Sequence, residues 1–209
     1  GPGIMPIPPT GWGAVEILIW DQKLALEELG HEVQIVNVAS GVEILKQINS
    51  FRPDFVHVQY DDFVELCPYI QYPNAITSHF GYLEQPRKWD YYGPRVAQKF
   101  ANIKPNVFCL SPGIKNVYEK IMEIPSNQLF VTPNGVNVDK FKYNKLQLES
   151  DICKSLYLAK IDYRKRQHMF QSIDSLWYAG NNADPRFDVN KNYLGEWSKE
   201  TLYNDLTTY

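Results

Sequence analysis

Helical and strand-like segments alternate along this chain from about residue 13, and no other feature of the sequence limits the fold as strongly. The helical segments carry apolar residues at intervals of three and four, whereas the strand-like segments are short apolar runs between turn residues. This order predicts an α/β fold, a Rossmann-like parallel sheet with helices on both faces. We expect at least five β/α steps.

The segment from Gly13 to Leu29 is the clearest predicted helix, because its apolar residues share one face and Gly30 follows its end. The other predicted helices cover residues 42–49, 93–103, 112–121, 164–173 and 199–209. The predicted strands cover residues 31–38, 55–60, 75–79, 106–110, 128–131, 152–161, 176–179 and 193–197.

Polar residues between 144 and 150 predict a linker. We therefore expect a Rossmann-like domain over residues 1–145 and the incomplete start of a second Rossmann-like unit over residues 151–209. The second unit has too few residues for an ordinary α/β domain of roughly 100 or more. Four prolines among residues 1–9 favour a loop, so we expect the chain to start within or just after its first strand.

The charge and cysteine content exclude several classes of protein. A net charge of -3 and a pI near 5.8 argue against a nucleic-acid partner, which requires a basic face. The three cysteines are far apart and form no C-x-x-C pair, so neither a disulfide framework nor a zinc site is predicted. Cys109 lies in an apolar run and is expected to be a small buried residue.

The sequence predicts a cytoplasmic protein. It contains neither an apolar stretch of the roughly 18 residues that span a bilayer nor the pattern of a signal peptide. Only the patch of Arg87, Lys88 and Trp89 suits contact with a membrane surface.

Four short motifs bear on function: PPTGWGAVE at residues 8–16, PDFVHV at 53–58, VTPNGVNVDKF at 131–141 and LAKIDYRK at 158–165. In order and spacing they resemble the retaining, nucleotide-sugar-dependent GT-B glycosyltransferases, a family-four-like group that includes sucrose synthase and glycogen synthase. The resemblance covers essentially the whole chain. It implies that the first domain binds a carbohydrate or glycolipid acceptor and the second binds the nucleotide-sugar donor.

In the family, the first domain closes with a strand that runs into Pro-Asn-Gly-Val-Asp. This chain has the same sequence through Asn134 and Gly135, with Asn137 in place of the aspartate. The Asn-Gly pair predicts a tight turn with positive φ. A plain turn between domains is the alternative interpretation.

Gly11 and Gly13 flank the start of the first helix. Their backbone amides and the positive end of the helix form a pocket that suits a diphosphate or a sugar hydroxyl. The resemblance implies a loop that faces the cleft near the donor phosphates. A simple helix cap is the alternative, since the third glycine of the dinucleotide fingerprint is absent. Glu16 is expected to support the helix dipole.

Lys160 and Lys165 lie where the family has Gly-Arg-x-x-x-x-Lys-Gly, with Arg166 in place of the last glycine. In relatives the basic pair neutralises the departing nucleoside diphosphate, where negative charge develops. Lysine supplies the charge without the two-pronged grip of arginine. Because no Asp-x-Asp motif is present, we expect no metal and no cofactor beyond the donor substrate. The alternative is a solvated basic turn.

His79 follows the strand-like segment 75–78 and matches a family position where histidine approaches the donor sugar and the acceptor. Ligands of open α/β sheets bind at the carboxyl ends of the strands. A structural histidine is the alternative for His79. His57 alternates with valines in a buried strand, which favours a core histidine with satisfied hydrogen bonds.

The family also carries two glutamates eight positions apart beyond the start of its second domain, and this chain ends before any such motif. The sequence therefore predicts a truncated glycosyltransferase that is inactive by itself. A non-catalytic carbohydrate- or partner-binding module on the same scaffold is the main alternative. A GT-B-shaped epimerase is less favoured, because the Pro-Asn-Gly-Val motif and the lysine spacing point to transferases.

Overall fold

The structure is a computed structural model that describes residues 1–10, 13–79, 92–141, 155–189 and 191–206, with side chains of the third range from residue 95. The chain divides into two compact units, Gly1–Val136 and Asn137–Tyr209, called unit 1 and unit 2 below. The predicted linker at 144–150 and the patch at 87–89 lie outside the described residues. The domain bounds 1–145 and 151–209 stay a prediction.

Unit 1 is an α/β unit built on a four-stranded sheet. Its strands are β1 (Val56–Val58), β2 (Asn74–Ile76), β3 (Val107–Cys109) and β4 (Leu129–Val131), and its helices are α1 (Ala14–Glu28), α2 (Gly41–Phe51), α3 (Tyr92–Ile103) and α4 (Pro112–Lys120). The described residues of unit 1 also form the 3-10 helices Asp61–Tyr69 and Ser126–Gln128. The strand order is β1-β2-β3-β4 and every neighbouring pair is parallel. This confirms the predicted α/β class with a parallel sheet flanked by helices, an arrangement compatible with a Rossmann-like fold.

One face of this sheet forms the main hydrophobic core. Alternate strand residues point to it, as the period of two in a strand requires. Val58, Ile76 and Val107 pack there with Phe100 of α3 and Tyr118 of α4. Cys109 is also buried in this core, as predicted.

The opposite face carries His57 near α1 and a row of aromatic rings. Gln22 of α1 lies within 3.4 Å of the His57 ring, which places this helix over the first strand. Phe108 packs edge-on against His57 and contacts Phe55 and Phe130. Phe55 and Phe130 are about half exposed, so this aromatic row is only partly covered.

Serine residues cap the N-termini of several helices. Ser40 caps α2, Ser111 caps α4, and each hydroxyl accepts a hydrogen bond from the backbone three residues later. Such caps satisfy amides that have no partner within the helix. The helices at 13–29, 42–49, 93–103 and 112–121 were therefore predicted correctly to within a few residues.

The predicted strand at 31–38 is wrong. These residues form no ladder with a neighbouring strand, although Asn37 ties them to the Pro-rich start of the chain by donating to the carbonyl of Met5 (2.8 Å). A cavity of about 570 Å³ is lined both by residues 31–36 and by residues 55–59. Among the described strands β1 pairs only with β2, so the segment 31–38 lines this cavity without joining the sheet.

The described residues of unit 2 form a pair of parallel strands, β5 (Ser155–Leu158) and β6 (Leu176–Ala179), and the helix α5 (Lys199–Asp205). Two 3-10 helices, Val138–Lys140 and Gln167–Phe170, accompany them. Ser198 caps α5. Tyr157 of β5 and Tyr178 of β6 pack with the aromatic side chains of Phe187 and Tyr193.

Two predictions for unit 2 are wrong. The segment 164–173 forms only the 3-10 helix Gln167–Phe170, because Asp162 accepts the backbone amides of Arg164 and Lys165 and Arg166 takes a positive φ of 57°. The segment 193–197 forms a single bridge, Tyr178 to Tyr193, in place of a strand. The strands near 152–161 and 176–179 and the start of the last helix were predicted correctly.

Candidate functional site

Five polar side chains meet at the carboxyl ends of β1 and β2, and we call them the histidine cluster: Gln22, His57, Gln59, Thr77 and His79. His79 Nε2 lies 2.9 Å from Gln59 Oε1. Gln59 Nε2 is 3.0 Å from His57 Nδ1 and 2.8 Å from Gln22 Oε1. His57 Nε2 lies 2.7 Å from Thr77 Oγ1. A continuous hydrogen-bonded chain thus connects the two histidines.

The spacing of these residues explains why they meet. His57 and Gln59 are two positions apart, as are Thr77 and His79, so each pair lies on one face of an extended segment. The two segments run parallel, and the amide of Thr77 donates to the carbonyl of Val58 at 2.8 Å. In the register of β1 and β2, His57 aligns with Ala75, so its side chain reaches diagonally along the sheet to Thr77, and that of Gln59 reaches His79.

Both histidines are held in the neutral form. Burial lowers the pKa of His57 from 6.5 to about 4, and the nearby ring of His79 lowers it further. Burial also lowers the pKa of His79, although the carboxylate of Glu16 opposes this shift. The Nδ1 atom of His79 is buried and has no hydrogen-bond partner among the described residues. A neutral site of this kind suits uncharged, hydrogen-bonding ligands.

Glu16 links the histidine cluster to the start of α1. Its carboxylate accepts a hydrogen bond from the hydroxyl of Tyr60, and burial together with this bond raises the pKa of Tyr60. A Cβ atom at Gly13 would lie 2.6 Å from Glu16 Oε2, so the carboxylate sits against this end of the helix. It supplies the negative charge that the helix dipole favours there. Gly11 lies outside the described residues.

Acid should destabilise unit 1 through His57. Its pKa is about 4 in the folded chain and 6.5 when unperturbed, so the unfolded chain binds the proton first as the pH falls. The free energy of unfolding should drop between pH 6.5 and 4, in total by roughly 3 kcal/mol. Urea unfolding across this range should show a shallower pH dependence for His57→Gln. The exposed His31→Gln should keep the parent slope, and equal slopes for all three proteins would contradict the assignment.

In unit 2, Lys160 and Lys165 lie exposed on the loop that follows β5. Asp162 and Gln167 hold this loop. The Asp162 carboxylate pairs with the Arg164 guanidinium at 2.8 Å, an interaction that lowers the pKa of Asp162. Gln167 is fully buried, donates to the carbonyl of Lys160 at 3.0 Å and accepts the amide of Asp162 at 3.3 Å. Neither lysine forms an ion pair with the described residues, so both charges face solvent.

Asn134 and Gly135 lie in an exposed segment after β4. The predicted tight turn with positive φ is wrong, since the backbone of Gly135 stays outside the left-handed region and a Cβ there would meet no atom within 4 Å. The turn comes later, where the side chain of Asn137 accepts the amide of Asp139 at 3.1 Å and caps the 3-10 helix Val138–Lys140. An asparagine cap thus replaces the Asn-Gly turn.

Sequence reasoning picked out His79 but missed the partners that give it a role, Gln22, Gln59 and Thr77. It interpreted His57 correctly as a histidine with satisfied hydrogen bonds. Glu16 lies in the first turn of α1, and its support of the helix dipole stays a prediction. The missed signal was a pair of patterns, His-x-Gln at 57–59 and Thr-x-His at 77–79. Each places two polar side chains on the same face at the end of a buried strand.

Comparison with known proteins leaves this geometry as the main guide to function. A scan of protein-family models and a search of curated proteins both found no match. Within the described part of the chain, no group of His, Cys, Asp and Glu side chains is placed to hold a metal ion. In the same residues, no helix combines the length and the apolar character needed to cross a membrane.

Proposed function

We propose that this chain is part of a glycosyltransferase that moves a sugar from a nucleotide-sugar donor to a carbohydrate or glycolipid acceptor, with retention of anomeric configuration. The observation that carries the proposal is the place of His79 at the carboxyl end of β2, where its buried Nδ1 atom has no hydrogen-bond partner among the described residues. Ligands of parallel α/β sheets bind at this edge. The resemblance supplies the class of donor and the stereochemistry.

The histidine cluster suits a sugar for a chemical reason. Sugar hydroxyls are uncharged and both donate and accept hydrogen bonds, and the cluster offers neutral imidazole and amide groups. A neutral imidazole within reach of a hydroxyl can hold or accept its proton. His79 would therefore bind and orient a hydroxyl of the donor sugar or the acceptor.

The two lysines of unit 2 would serve the donor's phosphates. Both ammonium groups are exposed and free of ion pairs with the described residues, while the backbone beneath them is held by Asp162 and Gln167. Cations held in this way can stabilise the negative charge that develops as a nucleoside diphosphate leaves. No metal is needed for this role.

Calorimetric titration with UDP and GDP tests the phosphate role. Lys160→Ala and Lys165→Ala should each raise the Kd of the preferred nucleotide at least about tenfold, because each removes a charge-assisted contact worth about 1.5–3 kcal/mol. The matched control is Lys191→Ala, an exposed lysine of the same unit that pairs with Asp174 at 3.5 Å. The proposal fails if neither nucleotide binds, or if all three variants bind equally.

A non-catalytic sugar-binding module is the second candidate. It is favoured by one observation, that the whole hydrogen-bonded chain of the histidine cluster lies within unit 1. Hydroxyl recognition there does not depend on the lysines of unit 2. Binding of free hexoses without any binding of UDP or GDP would select this candidate.

A further inference from the structure

Gln59 occupies the centre of the histidine cluster and uses all of its hydrogen-bonding groups. Its amide nitrogen faces Gln22 Oε1 at 2.8 Å and His57 Nδ1 at 3.0 Å, and its carbonyl oxygen faces His79 Nε2 at 2.9 Å. An amide nitrogen can only donate and an amide oxygen can only accept. The orientation of this one side chain therefore determines where the protons of both histidines lie.

The direction of the chain follows from these roles. His79 must carry its proton on Nε2 to donate to Gln59 Oε1. His57 must accept at Nδ1, so its own proton is on Nε2 and is donated to Thr77 Oγ1 at 2.7 Å. If the amide nitrogen and oxygen of Gln59 alone exchanged places, the Gln59 oxygen would face the Gln22 oxygen, and two acceptors cannot form a hydrogen bond. The orientations of Gln22 and Gln59 are therefore coupled, and the arrangement in the structure, with Gln22 Oε1 facing Gln59 Nε2, is the one that sets these proton positions.

One consequence concerns the other nitrogen of His79. With the proton on Nε2, Nδ1 carries a lone pair, and this buried atom has no partner among the described residues. A buried acceptor without a partner is costly, and such groups in native proteins call for an explanation. The nearby Glu16 carboxylate disfavours an anionic partner for Nδ1. A hydroxyl group, which can donate a proton without adding charge, is the fitting partner.

We propose that Gln59 is a positioning residue that holds His79 in the Nε2–H tautomer, so that Nδ1 accepts a hydrogen bond from a hydroxyl of the bound sugar. The identity of the ligand rests on the proposed glycosyltransferase or sugar-binding function. The position of the proton rests only on the hydrogen bonds of the histidine cluster. The two parts can therefore fail separately.

Long-range ¹H–¹⁵N correlation spectra of the full chain, labelled at histidine, test the tautomer directly. At neutral pH both His57 and His79 should show the pattern of a proton on Nε2. Gln59→Leu should give a mixture of tautomers at His79. Gln59→Glu should keep the Nε2–H form of His79, because a carboxylate oxygen can still accept from it, whereas His57 should move its proton to Nδ1, because a carboxylate cannot donate to that atom. Gln47→Leu on α2, where Gln47 bonds Glu43, is the matched control and should leave both patterns unchanged.

Addition of glucose or mannose to the same samples tests the ligand. The ¹⁵Nδ1 signal of His79 should shift on binding in the parent chain and in Gln59→Glu, and much less in Gln59→Leu. Two results would overturn the positioning role: a proton on Nδ1 of His79 in the parent chain, or a His79 tautomer that is the same in Gln59→Leu as in the parent. The predicted tautomer with no response to either hexose would keep that role and overturn the sugar as ligand.

Discussion

Gly180→Ala is expected to unfold much of unit 2, with a loss of about 2–6 kcal/mol. Gly180 follows β6 with a φ of 148°, a conformation that residues with a Cβ rarely adopt, and holding it costs them about 1–3 kcal/mol. A Cβ there would also overlap the carbonyl oxygen of Ala159, and such crowding typically adds about 1–3 kcal/mol. Ala159 directly precedes Lys160, so the loop that carries Lys160 and Lys165 should be displaced as well.

The same unit offers a matched control for this change. Gly195 also has a positive φ, 79°, but a Cβ there would meet nothing within 4 Å. Gly195→Ala should therefore lose only about 1 kcal/mol, from backbone strain alone. Amide hydrogen exchange in β5 and β6 measures the stability of unit 2. The amides should be much less protected in Gly180→Ala than in Gly195→Ala. Similar protection in both would show that the close approach to Ala159 is unimportant.

Phe100→Ala should reduce the stability of unit 1 by about 3–5 kcal/mol, the usual range for a buried phenylalanine. Phe100 is fully buried on α3, and its ring packs on that of Tyr118 with the centroids 5.2 Å apart. Its loss leaves a cavity between two helices and the core face of the sheet. A loss of this size is a large fraction of the roughly 5–15 kcal/mol by which a typical domain is stable.

Amide hydrogen exchange in β2 and β3 measures this effect within unit 1. Phe100→Leu, which keeps most of the apolar volume, should lose less than Phe100→Ala. Phe130→Ala provides a surface control, because Phe130 is 48% exposed, and should cost about 1 kcal/mol or less. A loss at Phe100 no larger than at Phe130 would argue that α3 does not contribute to the core as described.

The α/β class and most elements of unit 1 could be predicted because they depend on local patterns. Apolar runs such as Val107 to Cys109 and serine caps such as Ser111 act within a few residues of the chain. The segment 31–38 has the same apolar character but forms no strand. A ladder needs a partner backbone at the right distance, and the pattern of one segment does not show whether that partner is there.

The site was harder to predict than the fold, because its contacts join distant residues. Gln22 and Gln59 are 37 positions apart, and His79 and Gln59 are 20 apart. His79 could be singled out by its place after a strand. Its tautomer could not, because the Gln59 side chain that determines it is recognised only once the register of β1 against β2 is known. The predicted helix over residues 164–173 was wrong for a related reason. The Asp162 carboxylate accepts the backbone amides of Arg164 and Lys165, and the pattern of apolar residues does not show this contact.

The aromatic row on the second face of the unit 1 sheet has a consequence for colloidal behaviour. Phe55 and Phe130 expose about half of their surface. The net charge of -3 gives only weak mutual repulsion between molecules. Sulfate and similar salts strengthen the burial of apolar surface and screen what repulsion there is. The chain should therefore stay dispersed most readily in dilute buffers of low ionic strength, and salting out should begin at this row of rings.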